Sequence, residues 1–423
     1  MTTMFRPYAA GYAPTALVAE AAPASRANVA VRWTLYLYIL SIPFEIPHRS
    51  FPVEVPTITG ALFLLATLFN PGACYRRIPP AAVWFLLHVW ILVALAIVFA
   101  VGEMGLALQQ ISLFLQVVLL FVTIYNTLAD PRALRGALLA LVVATAARAA
   151  VQVTGLAATR AAEWGGGERV SAFGQNANLS AMILSAGLIA VVGLRARKDP
   201  RLPRLGLLAW PVAGVLGFAL IQTGSRGGLL CALVGVVTFW FTPDQSLARR
   251  LRNAALGLLA GAALAWGALQ NTAMRNRLEN AEEGNLAGRE IIYPGAIEMI
   301  EERPVFGWGP VANQFELSRR LLLDTRKYPS RDVHNLLLEL LSTSGVIGTI
   351  PFLIGVALCL RGGWRARRGP LGLVPLAMLL TVLTGCLSGT WIIAKILWLV
   401  LPIALAAGAH WSAAADPTAR RIA

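Results

Sequence analysis

Three residues in this chain have the type and setting for acid–base or anion chemistry. His334 stands where a polar stretch gives way to an apolar helix, in Asp332-Val333-His334-Asn335-Leu336-Leu337-Leu338-Glu339. With Asp332 as N-cap, the first turn would place the imidazole at the positive end of the helix dipole, which favours its neutral form. A neutral imidazole at a water–membrane boundary can act as a general base, although an interfacial histidine need not act at all. Arg226 lies in the turn Thr223-Gly224-Ser225-Arg226-Gly227-Gly228, whose glycines leave room for a ligand to approach. Arg289 belongs to a helical stretch, Glu279 to Glu302, on one side with Tyr293 and Ala296. Two guanidinium groups together can clamp a diphosphate by bidentate hydrogen bonds. Taken singly, Arg226 also reads as an interfacial arginine snorkelling to headgroups, and Arg289 as part of a solvated helix face.

Other charges are placed less tellingly. Arg148 and Lys395 fall inside apolar segments, where a charge is costly and marks function unless it snorkels outward. Glu45 and Glu103 fall near helix ends and read as solvated. His88 is buried in an apolar run, His410 ends one at the opposite face, and His48 reads as a loop residue. With no cysteine or acidic pair at ligand spacing beside the histidines, the expectation is no metal site and no cofactor. Cys231, Cys359 and Cys386 fall in apolar runs and Cys74 in a basic loop, so no disulfide is expected.

These residues must be positioned by a membrane bundle. At 57% hydrophobic and 13% charged over 423 residues, the chain is too apolar for a soluble globule, which carries about 25% charged residues. Apolar segments at 30–46, 56–70, 81–102, 105–128, 133–157, 177–195, 204–223, 227–242, 251–270, 334–360, 371–389 and 391–410 predict an all-α polytopic protein of about twelve transmembrane helices. Basic clusters follow every even-numbered segment: Arg76 and Arg77, Arg132 and Arg135, Arg195 to Arg204, Arg249 to Arg252, and Arg361 to Arg368. That pattern puts those loops and both termini in the cytoplasm, and it accounts for the net charge of +15 without any nucleic-acid partner. The organisation expected is a cytoplasmic tail at 1–29, helices over 30–270, one large periplasmic loop containing short helices at 271–333, helices over 334–410 and a tail at 411–423. The loop 158–176, the turn at 223–228 and the large loop then share the outer face. No internal repeat relates the two halves.

Four segments in order resemble the O-antigen ligase and polymerase family of bacterial membrane glycosyltransferases. They are Phe173-Gly174-Gln175-Asn176-Ala177-Asn178, then Ser225-Arg226-Gly227, then Arg289 to Phe315 with Pro304-Val305-Phe306-Gly307-Trp308-Gly309 at its centre, and His334-Asn335 followed by Gly345-Val346-Ile347-Gly348. The resemblance implies a C-type glycosyltransferase fold in the inner membrane of a Gram-negative bacterium, its active site periplasmic. It implies a donor glycan on undecaprenyl diphosphate and, for the ligase branch, lipid A–core as acceptor. One large loop with a single histidine at its end looks more like a ligase. The polymerase often divides its work between two loops, and the protein O-oligosaccharyltransferase often has further histidines where 330–333 hold none. His334 is then the expected base, Arg226 and Arg289 the diphosphate ligands, and Arg148, Lys395, Asn335, Tyr293, Gln175 and Asn178 possible supports. A secondary transporter or lipid flippase is the rival from another class, disfavoured because polar groups crowd one end rather than the midplane.

Overall fold

The computed structural model describes residues 26–45, 54–100, 102–162, 168–197, 199, 202–243, 246–272, 275–276, 288–322 and 330–411. Most of residues 1–29 and 411–423, His48, and the start of the Glu279–Glu302 stretch therefore lie outside the described residues. The helices are α1 (Val29–Ser41), α2 (Val55–Leu68), α3 (Pro71–Cys74), α4 (Pro80–Phe99), α5 (Met104–Thr127), α6 (Pro131–Thr154), α7 (Ala177–Arg195), α8 (Ala209–Gln222), α9 (Arg226–Thr238), α10 (Leu247–Gln270), α11 (Arg289–Glu302), α12 (Ala312–Arg320), α13 (Leu336–Arg365), α14 (Val374–Cys386) and α15 (Lys395–His410). Among the described residues, six apolar helices are long enough to cross a membrane, and six shorter apolar helices lie on other apolar segments. The chain is a multi-pass membrane protein.

Local chemistry sets the helix starts. Prolines stand in the first turn of α2, α4, α6 and α14, where their missing N–H costs no helical bond. Side chains of Asn28, Asp130, Asn176, Ser225, Ser246 and Asn335 cap α1, α6, α7, α9, α10 and α13. Helix α7 is buried along most of its length and α10 is almost wholly exposed, so α7 is central and α10 peripheral. Helix α15 is buried along most of its length, with Trp398 edge-on to Phe85 at 5.0 Å and Phe121 at 6.3 Å.

The bundle has two chemically different ends. At one, Arg197 donates to the carbonyls of Pro370 (2.8 Å) and Gly369 (2.6 Å), Asn126 pairs with the backbone of Arg77, and Tyr36 donates to the carbonyl of Arg132 at 2.8 Å. The arginine clusters gather there. Helices α4 and α13 run antiparallel, because His88 meets Gly348 and Phe85 packs against Gly355. The Phe99 end of α4 thus lies beside the start of α13, at the end opposite the basic loops.

Helix α13 is broken. Gly345 takes φ +55° and ψ −163°, and the Pro304–Gly309 turn docks into the gap by backbone bonds. Trp308 N donates to Ser342 O (2.8 Å), Gly309 N to Thr343 O (2.8 Å), Val346 N to Pro304 O (2.9 Å) and Ile347 N to Val305 O (3.2 Å). The two glycine-rich motifs are therefore one structural unit, and it anchors the large loop to the bundle. A β-carbon on Gly307, at φ +66°, would stand 2.7 Å from Gly345 N and Thr343 O. Gly307→Ala is expected to lower the thermal midpoint of the purified protein, because left-handed strain of ~1–3 kcal/mol adds to a clash with unyielding backbone. An unchanged midpoint would mean the turn is not docked.

Three local expectations need correction. The 158–176 segment is not an open loop: Ala158–Ala162 (β1) and Glu168–Ala172 (β2) form an antiparallel hairpin, with Thr159 opposite Ser171 and Arg160 opposite Val170. The N-cap of α13 is Asn335 rather than Asp332, because its Oδ1 accepts from Leu337 N at 2.9 Å and Leu338 N at 3.2 Å. Cys74 sits buried at the end of the short helix α3, not in an open loop.

Candidate active site at the loop end of the bundle

The segment between α14 and α15 gathers the candidate residues. Ser388 O accepts from Arg289 Nη2 at 2.6 Å, Leu387 O from Asn335 Nδ2 at 3.2 Å, and Thr390 Oγ1 from His334 N at 3.1 Å. Gly227, next to Arg226, packs so closely that an added β-carbon would lie 3.3 Å from Ser388 Oγ. Arg289 and His334 thus contact the segment Leu387 to Thr390 directly, and Arg226 adjoins it through Gly227. All three are half-buried, open enough to meet a ligand and sheltered enough for electrostatics to count.

His334 lies just before α13 instead of in its first turn, at φ +59°. A non-glycine residue rarely adopts that conformation, and it persists only when neighbours hold it. Here Thr390 holds the His334 N–H, the Tyr293 hydroxyl donates to the His334 carbonyl at 3.4 Å, and Asn335 is fixed by its capping role. Burial pushes the imidazole pKa below its usual value; Asp332 opposes that shift, while Arg331 and Arg289 reinforce it. The neutral form is favoured, by burial and neighbouring cations more than by a helix dipole.

Arg226 opens α9 behind a shaped turn. Gly224 takes φ +59°, and Ser225 Oγ caps Gly228 N at 3.1 Å while donating to Asn178 Oδ1 at 2.9 Å. Asn178 Oδ1 also accepts from Arg169 Nη2 (2.8 Å), and Arg169 Nε donates to Thr223 O (2.7 Å). The hairpin therefore braces the Arg226 turn through a buried arginine, whose pKa burial lowers to about 10 and which stays charged. Arg289 begins α11 behind Gly288 at φ +80°. Its Nε is buried without a hydrogen-bond partner, a donor that costs stability unless an anion takes it.

The possible supports divide. Tyr293, Asn335 and Asn178 touch the site directly. Arg148 and Gln175 belong to a buried lattice beside it: Arg148 Nε donates to Pro43 O (2.8 Å), and its Nη2 donates to Gln175 Oε1 (2.7 Å) and to Ser180 Oγ. Arg148 is wholly buried and ties the turn after α1 to α6 and α7. Lys395 pairs with Glu45 Oε1 at 3.0 Å and with Glu54. Glu45 is therefore an ion-pair partner, with its side chain 17% exposed, and not the solvated residue its place in the sequence suggests. His88 gives its Nδ1 to Gly348 O at 2.9 Å between Phe114 and Phe352, and His410 stacks on Tyr125; neither reaches His334.

Sequence reading passed over the segment Leu387 to Thr390 and three further residues beside the candidate site, Arg169, Asn313 and Glu339. Glu339 is 2% exposed and accepts from Asn313 Nδ2 (3.0 Å) and from the backbone of Val333, the residue before His334. A carboxylate inside an apolar helix was the signal available for Glu339. The small polar run Leu387-Ser388-Gly389-Thr390 between two apolar segments was the signal for the hub. Among the described residues, no three His, Cys, Asp or Glu side chains gather at metal-binding spacing.

Residues 211–353 match the family model described as O-antigen ligase, from within α8 to the middle of α13. The match spans about a third of the chain, and over that stretch the chain is similar to the O-antigen ligase family. It contains Arg226, Arg289 and His334, and it leaves Arg148, Gln175, Asn178 and Lys395 outside. No curated protein matches the chain. At the coarse level the family describes membrane glycosyltransferases of the ligase or polymerase type.

Proposed function

We propose that this chain is a member of the O-antigen ligase family and moves a glycan from undecaprenyl diphosphate to lipid A–core. The reaction takes place at the periplasmic face of a Gram-negative inner membrane, in a chain that crosses that membrane twelve times with both termini cytoplasmic. The observation that carries the reading is that His334 and Arg289 contact Leu387 to Thr390 directly while Arg226 adjoins that segment through Gly227.

In the reaction the acceptor hydroxyl oxygen attacks the anomeric carbon while the bond from that carbon to the diphosphate oxygen breaks. His334 takes the hydroxyl proton as general base. The bonding electrons leave with the diphosphate, whose growing charge Arg226 and Arg289 receive, a charge stabilisation that a metal performs in many sugar-transfer sites. One base and one displacement give inversion at the anomeric carbon. The unpartnered Arg289 Nε is a donor suited to one diphosphate oxygen.

Complementation tests the assignment. Cells lacking the chain should accumulate lipid-linked glycan and carry bare lipid A–core, and the wild-type chain should reverse both. Bare acceptor without donor accumulation would instead place the defect upstream. Glycan chains of shortened length on a normally capped acceptor would favour a polymerase.

A further inference from the structure

Beside the large loop lies an open cleft that the transfer chemistry does not use. It has a volume of about 470 Å³ and lies between the Phe99 end of α4, Glu103, Arg303, Trp308 and one face of α12. Ala312, Phe315, Glu316 and Arg319 recur at helical spacing along that face. The opposite side of α12 serves His334: Gln314 O accepts from Arg331 N at 3.1 Å, and Asn313 holds Glu339. Helix α12, ~10 Å across, therefore stands between the cleft and the segment that leads to the base.

The lining has a definite chemistry. Phe99, Trp308 and Phe315 supply aromatic surface, and Arg303 lies over the Trp308 ring at 3.9 Å and the Phe99 ring at 5.2 Å. Glu316 is clamped by Arg319 Nη2 at 2.7 Å and Arg320 Nε at 2.7 Å, so its carboxylate is fixed in place. Two carboxylates, Glu103 and Glu316, and two guanidinium groups, Arg303 and Arg319, line the cleft, with Arg320 beside them on Glu316. Arg319 is held by Glu316 and Arg303 lies over two rings, so a phosphate would find little uncommitted positive charge, while an apolar chain would cover charged groups. A ring with apolar C–H faces and a rim of hydroxyls satisfies both kinds of wall. The volume falls in the ~300–1,000 Å³ range of small-molecule sites.

We propose that this cleft is a saccharide subsite, holding a sugar of the donor glycan or of the lipid-anchored acceptor while His334 acts on the other side of α12. The inference rests on the transferase reading for its role, though binding itself can be measured without transfer.

The test combines two substitutions with trimmed substrates. Phe315→Ala removes an aromatic wall, and Glu103→Gln removes a charge while keeping shape. Kinetics are measured with full-length and trimmed donor, then with full-length and trimmed acceptor. Each substitution is expected to raise KM on the order of tenfold, equivalent to about 1.4 kcal/mol, with kcat within about twofold. The loss should shrink when one substrate is trimmed, and whichever trimming cancels it identifies the occupant. Equal losses on every substrate pair would reveal a structural effect and overturn the proposal. Independently, saturation-transfer NMR probes wild type and Phe315→Ala with the oligosaccharides released by mild acid from donor and acceptor. Binding by wild type that weakens in the variant upholds the subsite even if no transfer occurs, in which case only the transferase reading fails. Absent or unchanged binding overturns it.

Discussion

Replacing His334 with alanine or asparagine is expected to lower kcat/KM for glycan transfer by ~10²–10⁴-fold, the range for loss of a general base. Asparagine is the sharper probe because it tolerates left-handed backbone, so it keeps the φ +59° conformation while removing the base. The thermal midpoint of His334→Asn should stay near that of wild type. The pH profile carries a second signature. The base works only as neutral imidazole, so the wild-type rate falls as pH drops through the His334 pKa. Burial depresses that pKa, and Arg331 and Arg289 lower it further against the opposing Asp332. The acid limb should therefore lie below the ~6.5 of an unperturbed histidine and vanish in the asparagine variant. A limb that survives in His334→Asn would assign the titration to another group.

The second large effect is at the arginines. Arg226→Lys and Arg289→Lys are each expected to reduce kcat by ~10²–10³-fold, as for a lost stabiliser of transition-state charge. Lysine keeps the charge but not the planar fork. Arg289 already commits Nη2 to the Ser388 carbonyl at 2.6 Å, which orients the group and leaves its buried Nε for a ligand. An ammonium cannot do both in that geometry. The double variant should lose less than the product of the single losses, because both groups are assigned to one leaving group. Near-normal rates in both lysine variants, read by initial-rate kinetics at saturating acceptor, would mean that charge alone suffices.

What was legible in the sequence was what local pattern encodes. Apolar runs located the helices, and the arginine clusters marked one end of the bundle, because both signals depend only on neighbours along the chain. His334, Arg226 and Arg289 stood out as polar groups at apolar boundaries. Long-range pairing was not legible. Nothing local shows that Gly307 docks against Gly345, or that Ser388 receives Arg289 from 99 positions away. The N-cap was misplaced because Asp332 and Asn335 are both good capping residues, and the left-handed turn at His334 decides between them. Arg148, Lys395 and Glu45 were visible as charges in apolar settings, yet only their partners show that Arg148 knits the turn after α1 to α6 and α7 and that Lys395 neutralises carboxylates. The hairpin escaped because β1 and β2 are short and carry no strong alternation of apolar residues.

The most direct measurement of the central claim is transfer in proteoliposomes containing only the purified chain, labelled undecaprenyl-diphosphate glycan and lipid A–core, with a chelator present. The account predicts that label appears on lipid A–core through an inverted anomeric linkage, with undecaprenyl diphosphate released in equal amount, and that the His334→Asn protein forms no measurable product. Label that crosses the bilayer still attached to its lipid, with no glycosidic bond formed by the wild type, would contradict it.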